Sequence, residues 1–221
     1  MTVVTLVPIP SDAYHLPSFI MTRLHHVIET GFHNILDLLR TPPLDDLGNF
    51  LGYCDAWATV LLAHHEVEEN IMFPILNTKL DFSEEEEQHK AMYDAVDKFA
   101  TCVRAARVDN TKFDAALLID ILEGAKDVLL THLHDEIEHL SDAHLRPVFS
   151  EVEIREMMES SRKYTLKHDD PFVMLPFLMG HTPPEYKSWP PLPWMVAKLI
   201  LPWIIARRHR GWWKYAPCSM S

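Results

Sequence analysis

The amino-acid sequence predicts an all-α fold, an antiparallel four-helix bundle followed by a C-terminal helical extension rich in proline and tryptophan. Three observations predict it. Only 6 of the 221 residues are glycine, few segments alternate polar and apolar residues, and long stretches with a period of about 3.6 residues are separated by turn-forming residues. Four such stretches, each with one apolar stripe, are typical of helices that bury their stripes against one another.

The four helices are predicted in order from their start and stop signals. The first covers about residues 17–40, because a proline suits its opening turn and Pro42-Pro43 stops it. The second covers about residues 44–73 and is expected to end near Pro74. The third begins at Ser83, and the fourth covers about residues 112–140.

The chain is predicted to divide into a bundle at residues 1–149 and an extension at residues 150–221 that packs on it. A shorter helix is expected from Ser150, where Glu153 would complete a capping box. Beyond Asp170 lie 9 of the 16 prolines and 5 of the 6 tryptophans. The extension is also basic near its end, so a peripheral membrane contact and a homodimer surface are the alternatives to packing on the acidic bundle.

The charge balance excludes a nucleic-acid binder, because 32 Asp and Glu outweigh 20 Lys and Arg for a net charge of −12. The first residues do not form a signal-peptide pattern, so the expected location is cytoplasmic. The three cysteines lack paired spacing and are expected to be free thiols. The 14 histidines are the unusual feature, and they favour a metal site with imidazole and carboxylate ligands.

The candidate ligands are histidines and glutamates that share a helix face with an apolar stripe. His25 lies in the stripe of the first helix, and His89 lies in that of the third. In the fourth helix, His132 and Glu136 are four residues apart and share a face with apolar residues. These four side chains are predicted to point into the core.

The second helix offers two overlapping pairs, His64 with Glu68 and His65 with Glu69. Apolar neighbours favour His64 and Glu68 by a small margin, and the other pair stays open. Tyr93 lies one turn after His89, so a phenol is expected beside the site. The histidines assigned to the surface or left unassigned are His15, His26, His33, His65, His134, His139, His144 and His168.

The selected residues form an internal repeat in which a lone histidine is followed, on the next helix, by a His-x-x-x-Glu pair. Two such repeats would deliver four imidazoles and two carboxylates to one place, and buried carboxylates are costly unless they are paired or coordinated. Nitrogen and oxygen ligands with open positions favour iron over zinc or calcium. The prediction is therefore two carboxylate-bridged iron ions held by His25, His64, Glu68, His89, His132 and Glu136.

These motifs also resemble the hemerythrin-like, or HHE cation-binding, family over roughly residues 18–146. The most specific string is HHEVEENIMFP at residues 64–74, with HHVI at 25–28, EQH at 87–89 and THLHDEI at 131–137 beside it. The resemblance implies a four-helix bundle of hemerythrin type with a non-heme di-iron site that handles dioxygen, nitric oxide or iron. It also favours His64 and Glu68 as ligands, from their distance to Pro74.

Two departures from the oxygen-carrying members predict a different use of the site. Tyr93 stands where the carriers have the second histidine of HxxxH, and the fourth helix carries HxxxE where they have HxxxxD. Fewer imidazoles would leave more open positions, and a phenol beside the metal can donate a proton or ligate ferric iron. With the extension covering an apolar pocket, the expected function is activation of dioxygen to oxidise a small organic substrate, with Tyr93 as a catalytic residue. The alternative is reversible binding, storage or sensing of oxygen, nitric oxide or iron.

Overall fold

The computed structural model describes residues 5–218, and every regular element in that range is helical. The prediction of an all-α fold is therefore confirmed. One-turn helices and two π-helical segments, Glu68–Met72 and Val196–Ile205, lie between or after the longer helices. The six longer helices are α1 (Leu16–Arg40), α2 (Leu47–Val67), α3 (Ser83–Val108), α4 (Ala115–His139), α5 (Glu151–His168) and α6 (Pro171–His181).

The predicted starts and ends agree with these bounds to within a few residues, except at the end of α2. The helix was expected to stop near Pro74, but it widens into the π-helical segment Glu68–Met72 and continues as a helical turn, Phe73–Leu76. Proline is accommodated there because it occupies the opening turn of the new segment, where its missing N–H leaves no hydrogen bond unmade. The predicted capping box is present at the start of α5, between Ser150 and Glu153.

The four long helices contact one another in a closed ring: α1 contacts α2 and α4, and α3 also contacts α2 and α4. Helix α6 contacts both α1 and α2, and α2 also contacts α5. The side chains of α2 are buried around most of its circumference, including Tyr53, Cys54, Trp57 and Leu61. The apolar pattern of α2 therefore marks no single inward face.

Two apolar clusters fill the protein, and each of the four ring helices passes from one to the other. On α1, Met21 belongs to the smaller cluster and Ile28 to the larger one. Along α2 and the π-helical segment that continues it, the order is reversed, because Leu61 of the larger cluster precedes Met72 of the smaller one. The same alternation continues through α3 and α4. The stretch of each helix between the two clusters carries the predicted ligands.

The part of the C-terminal extension after Asp170 packs on the ring one to several turns along α2 from these ligands. Phe177 of α6 lies against Gly31 and Trp57, and Trp213 is buried in the larger cluster. The extension therefore reaches the metal site through its first helix, α5, and not through the residues after Asp170; that it covers a substrate pocket there stays a prediction. It is helix α5 that contacts the π-helical segment Glu68–Met72 beside the ligands.

A buried hydrogen-bond network fixes α6 to the ring. The Tyr53 hydroxyl lies 2.7 Å from Nε2 of His181, whose Nδ1 donates to the Phe177 carbonyl oxygen at 2.7 Å. The Asn34 amide donates to the Tyr53 oxygen at 2.8 Å and to the Tyr215 carbonyl oxygen at 2.7 Å. Burial lowers the pKa of His181 to about 4, so this imidazole is neutral and its Nε2 accepts a hydrogen bond from the Tyr53 hydroxyl. The extension is thus part of the folded core.

Across residues 5–218, none of the helices combines the length and the apolar character needed to cross a lipid bilayer.

The close approach of the extension to α2 can be tested at Gly52. A Cβ at this position would fall within the indole of Trp212, whereas a Cβ at Gly124 of α4 would meet open space. We expect Gly52→Ala to lower the free energy of unfolding by about 1–3 kcal/mol through overpacking. Gly124→Ala, the matched control, should raise it by about 0.5–1 kcal/mol because alanine favours the helix. Denaturant unfolding of both variants measures the two free energies. A change of the same sign in both would contradict the close packing of Trp212 on Gly52.

Candidate metal centre

Seven buried side chains from the four ring helices come together between the two apolar clusters. They form two groups, and in each group the ligand atoms lie within 4.8 Å of one another. The first group comprises His25, His64, Glu68 and Glu136, and the second comprises His65, Glu68, His89 and His132. Glu68 belongs to both groups, which is the placement required of a carboxylate that bridges two cations.

The first group joins α1, α2 and α4. Nε2 of His25 lies 3.0 Å from Nε2 of His64 and 3.2 Å from Oε2 of Glu136. Nε2 of His64 lies 3.2 Å from Oε1 of Glu68. Two imidazoles and two carboxylates therefore present their metal-binding atoms to one small volume.

The second group joins α2, α3 and α4. Nε2 of His89 lies 3.1 Å from Nε2 of His132 and 3.5 Å from Oε2 of Glu68, the oxygen that does not contact His64. The imidazole of His65 stacks on that of His89 with ring centroids 3.9 Å apart. Oε2 of Glu136 lies 4.0 Å from Nε2 of His132, so this carboxylate stands closer to the first group than to the second.

The far nitrogens of three imidazoles are held by fixed acceptors. Nδ1 of His25 donates to the Leu133 carbonyl oxygen at 2.6 Å, and Nδ1 of His132 donates to the Gln88 amide oxygen at 3.2 Å. Nδ1 of His89 donates to a carboxylate oxygen of Glu69 at 3.1 Å. Such partners orient a ligating imidazole and set its tautomer. Each Nε2 is therefore left without a proton and with its lone pair directed into the site.

Burial favours the neutral form of the imidazoles of His64, His65, His89 and His132. It lowers the pKa of His89 to about 4 and that of His132 to about 3. Burial also lowers the pKa values of His64 and His65 well below the usual range. The pKa of Glu68 is raised, first by burial and then by the neighbouring Glu136 carboxylate. Neutral imidazole is the form that binds metal ions.

Several polar atoms in the centre have no hydrogen-bond partner among the residues that the structure describes. They include both carboxylate oxygens of Glu68, both of Glu136, and Nε2 of His65. In addition, the bare Nε2 atoms of His89 and His132 face each other at 3.1 Å. Lone pairs opposed at this distance, beside unpartnered carboxylates, are costly without a positive charge between them. The residues therefore fit two cations with nitrogen and oxygen ligands.

The structure brings together all six predicted ligands and adds His65, which sequence reasoning had assigned to the surface or left unassigned. His64 and His65 were treated as competitors, but Glu68 lies between them on the helix surface, four residues after one and three after the other. Both imidazoles can therefore flank the same carboxylate. The HHxxE spacing contained this signal, and the burial of α2 on several sides makes it structurally possible.

Tyr93 lies away from the centre, and the prediction of a phenol beside the metal is wrong. The buried positions of α3 are 85, 89, 92, 96, 99, 100, 103 and 106, and apart from 100 they follow alternating steps of four and three residues. Tyr93 falls outside this series and is 58% exposed. The prediction used only the four-residue step from His89, whereas Met92 continues the inward face. Tyr93 therefore contributes no ligand or proton donor from this position.

The structure places the two members of the alternative pair, His65 and Glu69, in different roles. Glu69 is half-exposed and its carboxylate accepts from Nδ1 of His89, whereas Glu68 is fully buried among the imidazoles. His65 thus pairs with Glu68 in the second group. Glu69 orients the imidazole of His89 through the nitrogen that faces away from the site.

Most of the other histidines lie where the sequence placed them. His33 and His134 lie at the surface near Glu29, and His168 lies near the end of α5. His139 pairs with the buried carboxylate of Glu85, one turn below the centre. His181 is a buried histidine that sequence reasoning did not consider, and its hydrogen bonds to Tyr53 and Phe177 show a structural role.

Comparison with known proteins agrees with this geometry. The family model for the hemerythrin HHE cation binding domain matches residues 16–143, a range that contains all seven side chains. The chain is also similar to the "Dimeric xanthone biosynthesis cluster protein R11" of Cryptosporiopsis sp. (strain 8999). The two are 25% identical over 189 residues, which cover 79% of this chain and 68% of the relative. The search of solved structures found no match.

The different positions of Glu68 and Glu69 predict different losses of metal. Glu68→Gln keeps the size of the side chain but removes the shared charge, so we expect most of the bound metal to be lost. Glu69→Gln keeps a hydrogen-bond acceptor for His89 and should retain more than half of the bound metal. Residues that hydrogen-bond to a ligating imidazole change metal affinity by about 10–100-fold at most. Elemental analysis after gel filtration measures both. Equal losses would contradict the shared position of Glu68.

The placement of His65 gives a second prediction for the same measurement. We expect His65→Ala to remove about half of the metal, because the second group loses one of its three imidazoles. His33→Ala is the matched control, since this histidine lies on the surface of α1. Metal content that is the same in the two variants would show that His65 is only a packed core residue.

Proposed function

Because the chain belongs to the hemerythrin HHE cation-binding family, we propose that it is a non-heme di-iron protein that activates dioxygen to oxidise a small organic substrate. The observation that carries the metal assignment is the opposition of the bare Nε2 atoms of His89 and His132 beside the unpartnered carboxylate of Glu68. A pair of cations is the ligand that this arrangement fits.

We also infer that the ring of α1 to α4 is the antiparallel four-helix bundle of hemerythrin type. The support is the alternation of the two apolar clusters along the chain, since successive helices meet the clusters in opposite order. In this arrangement each helix contributes its ligands at the same level, as the di-iron carboxylate bundles do.

The donor set favours iron over zinc and calcium. Five imidazoles and two carboxylates, divided into groups that share Glu68, supply nitrogen and oxygen ligands without a thiolate. Zinc in structural sites takes four ligands in a closed tetrahedron, and calcium takes oxygen ligands almost alone. When bound, two irons would supply the electrons for reduction of dioxygen.

The protein side chains hold this chemistry in place. Leu133, Gln88 and Glu69 fix the imidazoles of His25, His132 and His89 from behind, so that each Nε2 keeps its direction. The two apolar clusters exclude water above and below the site. Low polarity strengthens the interactions of the carboxylates with the cations.

Support for oxidation of an organic molecule comes from the relative. That protein is described as belonging to a xanthone biosynthesis cluster, and biosynthesis of aromatic natural products requires oxidative steps. The proposal for this chain is restricted to the class of reaction, an oxidation of a small apolar organic compound by dioxygen.

A second candidate function is reversible binding or sensing of oxygen, nitric oxide or iron. The observation that favours it is His65, because a fifth imidazole fills a position that the sequence had left open. The exposure of Tyr93 also removes the proton donor on which the oxidative interpretation relied. The two candidates differ in whether dioxygen is consumed.

The fate of dioxygen separates the two functions. The iron-loaded, reduced full chain is mixed with a known amount of dioxygen in a closed cell with an oxygen electrode, and the gas is then removed under vacuum. An oxidising enzyme should consume dioxygen irreversibly and leave ferric iron, and repeated turnover should require a reductant and a substrate. Tyr93→Phe is the control that should leave the result unchanged, because this side chain lies outside the centre.

Recovery of the dioxygen and of ferrous iron on evacuation would contradict the enzyme and establish reversible binding. If the iron-loaded protein neither consumes nor reversibly binds dioxygen, both candidates are contradicted, and a structural role for the metal is favoured.

A further inference from the structure

An exposed apolar ridge stands on the C-terminal extension. Its members are two adjacent pairs and one single residue between them, separated by four or five residues along the second π-helical segment and the turn before it. This spacing suits i→i+5 hydrogen bonding and places them on one side. Trp194 is 69% and Trp203 68% exposed. The ridge consists of Trp194, Met195, Leu199, Trp203 and Ile204.

The opposite side of this segment is anchored to the protein. Leu201 and Ala206 are buried, and the segment contacts α6. The guanidinium of Arg208 lies 4.9 Å from the ring centroid of Phe172 at the start of α6. Because α6 is itself held in the core, the segment that carries the ridge is fixed on the protein surface with the ridge facing solvent.

The charge around the ridge is opposite to that of the rest of the chain. All 32 acidic residues lie at or before Glu185, although the chain as a whole carries a net charge of −12. Lys198, Arg207 and Arg210 are exposed, and within residues 5–218 they form no ion pair with a carboxylate. Tryptophans bordered by unpaired cations are typical of segments that lie in the headgroup region of a membrane.

We propose that this ridge docks on the surface of a lipid bilayer that contains anionic lipids. Trp194, Trp203 and Ile204 enter the boundary between headgroups and acyl chains, while Arg207 and Arg210 contact the negatively charged headgroups. The ten-residue segment Val196–Ile205 lies in the plane of the interface, and the acidic ring of helices faces away from the membrane.

The observations favour lipid over a second copy of the chain. The ridge is a single narrow helix with five apolar side chains, whereas a standard protein interface buries about 800 Å² on each partner. An amphipathic helix with tryptophan on one side and arginine at its border needs no complementary surface to be buried in lipid. The inference does not depend on the proposed function of the metal centre.

The test is sedimentation of the iron-loaded full chain with vesicles of phosphatidylcholine, alone or with about a quarter phosphatidylglycerol. We expect binding to the anionic vesicles and a loss of that binding in about 0.5 M NaCl. Arg207→Gln with Arg210→Gln should weaken binding about 30-fold, because each cation contributes about fivefold near an anionic surface. Trp194→Ser with Trp203→Ser should weaken it at least about tenfold.

Matched controls replace exposed residues elsewhere. Leu166→Ser removes an equally exposed apolar side chain from α5, and Lys163→Gln with Lys167→Gln removes two charges; neither should change vesicle binding. Unchanged metal content and thermal midpoint confirm that every variant is folded.

Absence of vesicle binding would overturn the proposal, as would binding that the ridge variants leave unchanged. Sedimentation velocity of the same samples gives a third outcome. A dimer that Trp194→Ser with Trp203→Ser dissociates, without vesicle binding by the unmodified chain, would show an interface between two copies and overturn the membrane assignment.

Discussion

The rest of the structure depends on the burial of two carboxylates among neutral imidazoles. Glu68 and Glu136 are inaccessible to solvent, and no residue between 5 and 218 donates a hydrogen bond to their oxygens. An isolated buried carboxylate is destabilising by several kcal/mol, and two near each other repel as well. Cations between them reverse the sign of this contribution. We therefore propose that bound metal is a condition for close packing of the ring and not an addition to a finished fold.

The structure around Glu68 and Glu136 leaves these carboxylates little else than a cation to compensate their burial. The larger and the smaller apolar cluster lie on either side of the centre, so water has little access to replace a missing cation. Fixed acceptors behind His25, His89 and His132 leave each Nε2 without a proton. Helix α5 contacts the π-helical segment that begins at Glu68. At this one level of the ring, helix packing therefore excludes water and also holds the imidazoles in the tautomer that binds metal.

Sequence reasoning located six of the seven side chains because α1, α3 and α4 each bury one stripe, in which His25, His89 and His132 interrupt apolar residues. It failed at His65 because α2 is buried on several sides, and periodicity cannot then separate adjacent positions. Tyr93 was misplaced because a four-residue step alone does not define the inward face of a helix. Composition identified the extension, but it carries no information on which end of the ring the extension contacts.

The central claim is most directly tested by titrating the metal-free full chain with ferrous iron under anaerobic conditions and measuring the thermal midpoint Tm after each addition. Ligands that bind only the folded state raise Tm. The account predicts that Tm rises until about two irons per chain have been added and stays level beyond that point. A Tm that stops rising at one iron, or that does not respond to iron, would contradict a dinuclear centre on which the fold depends.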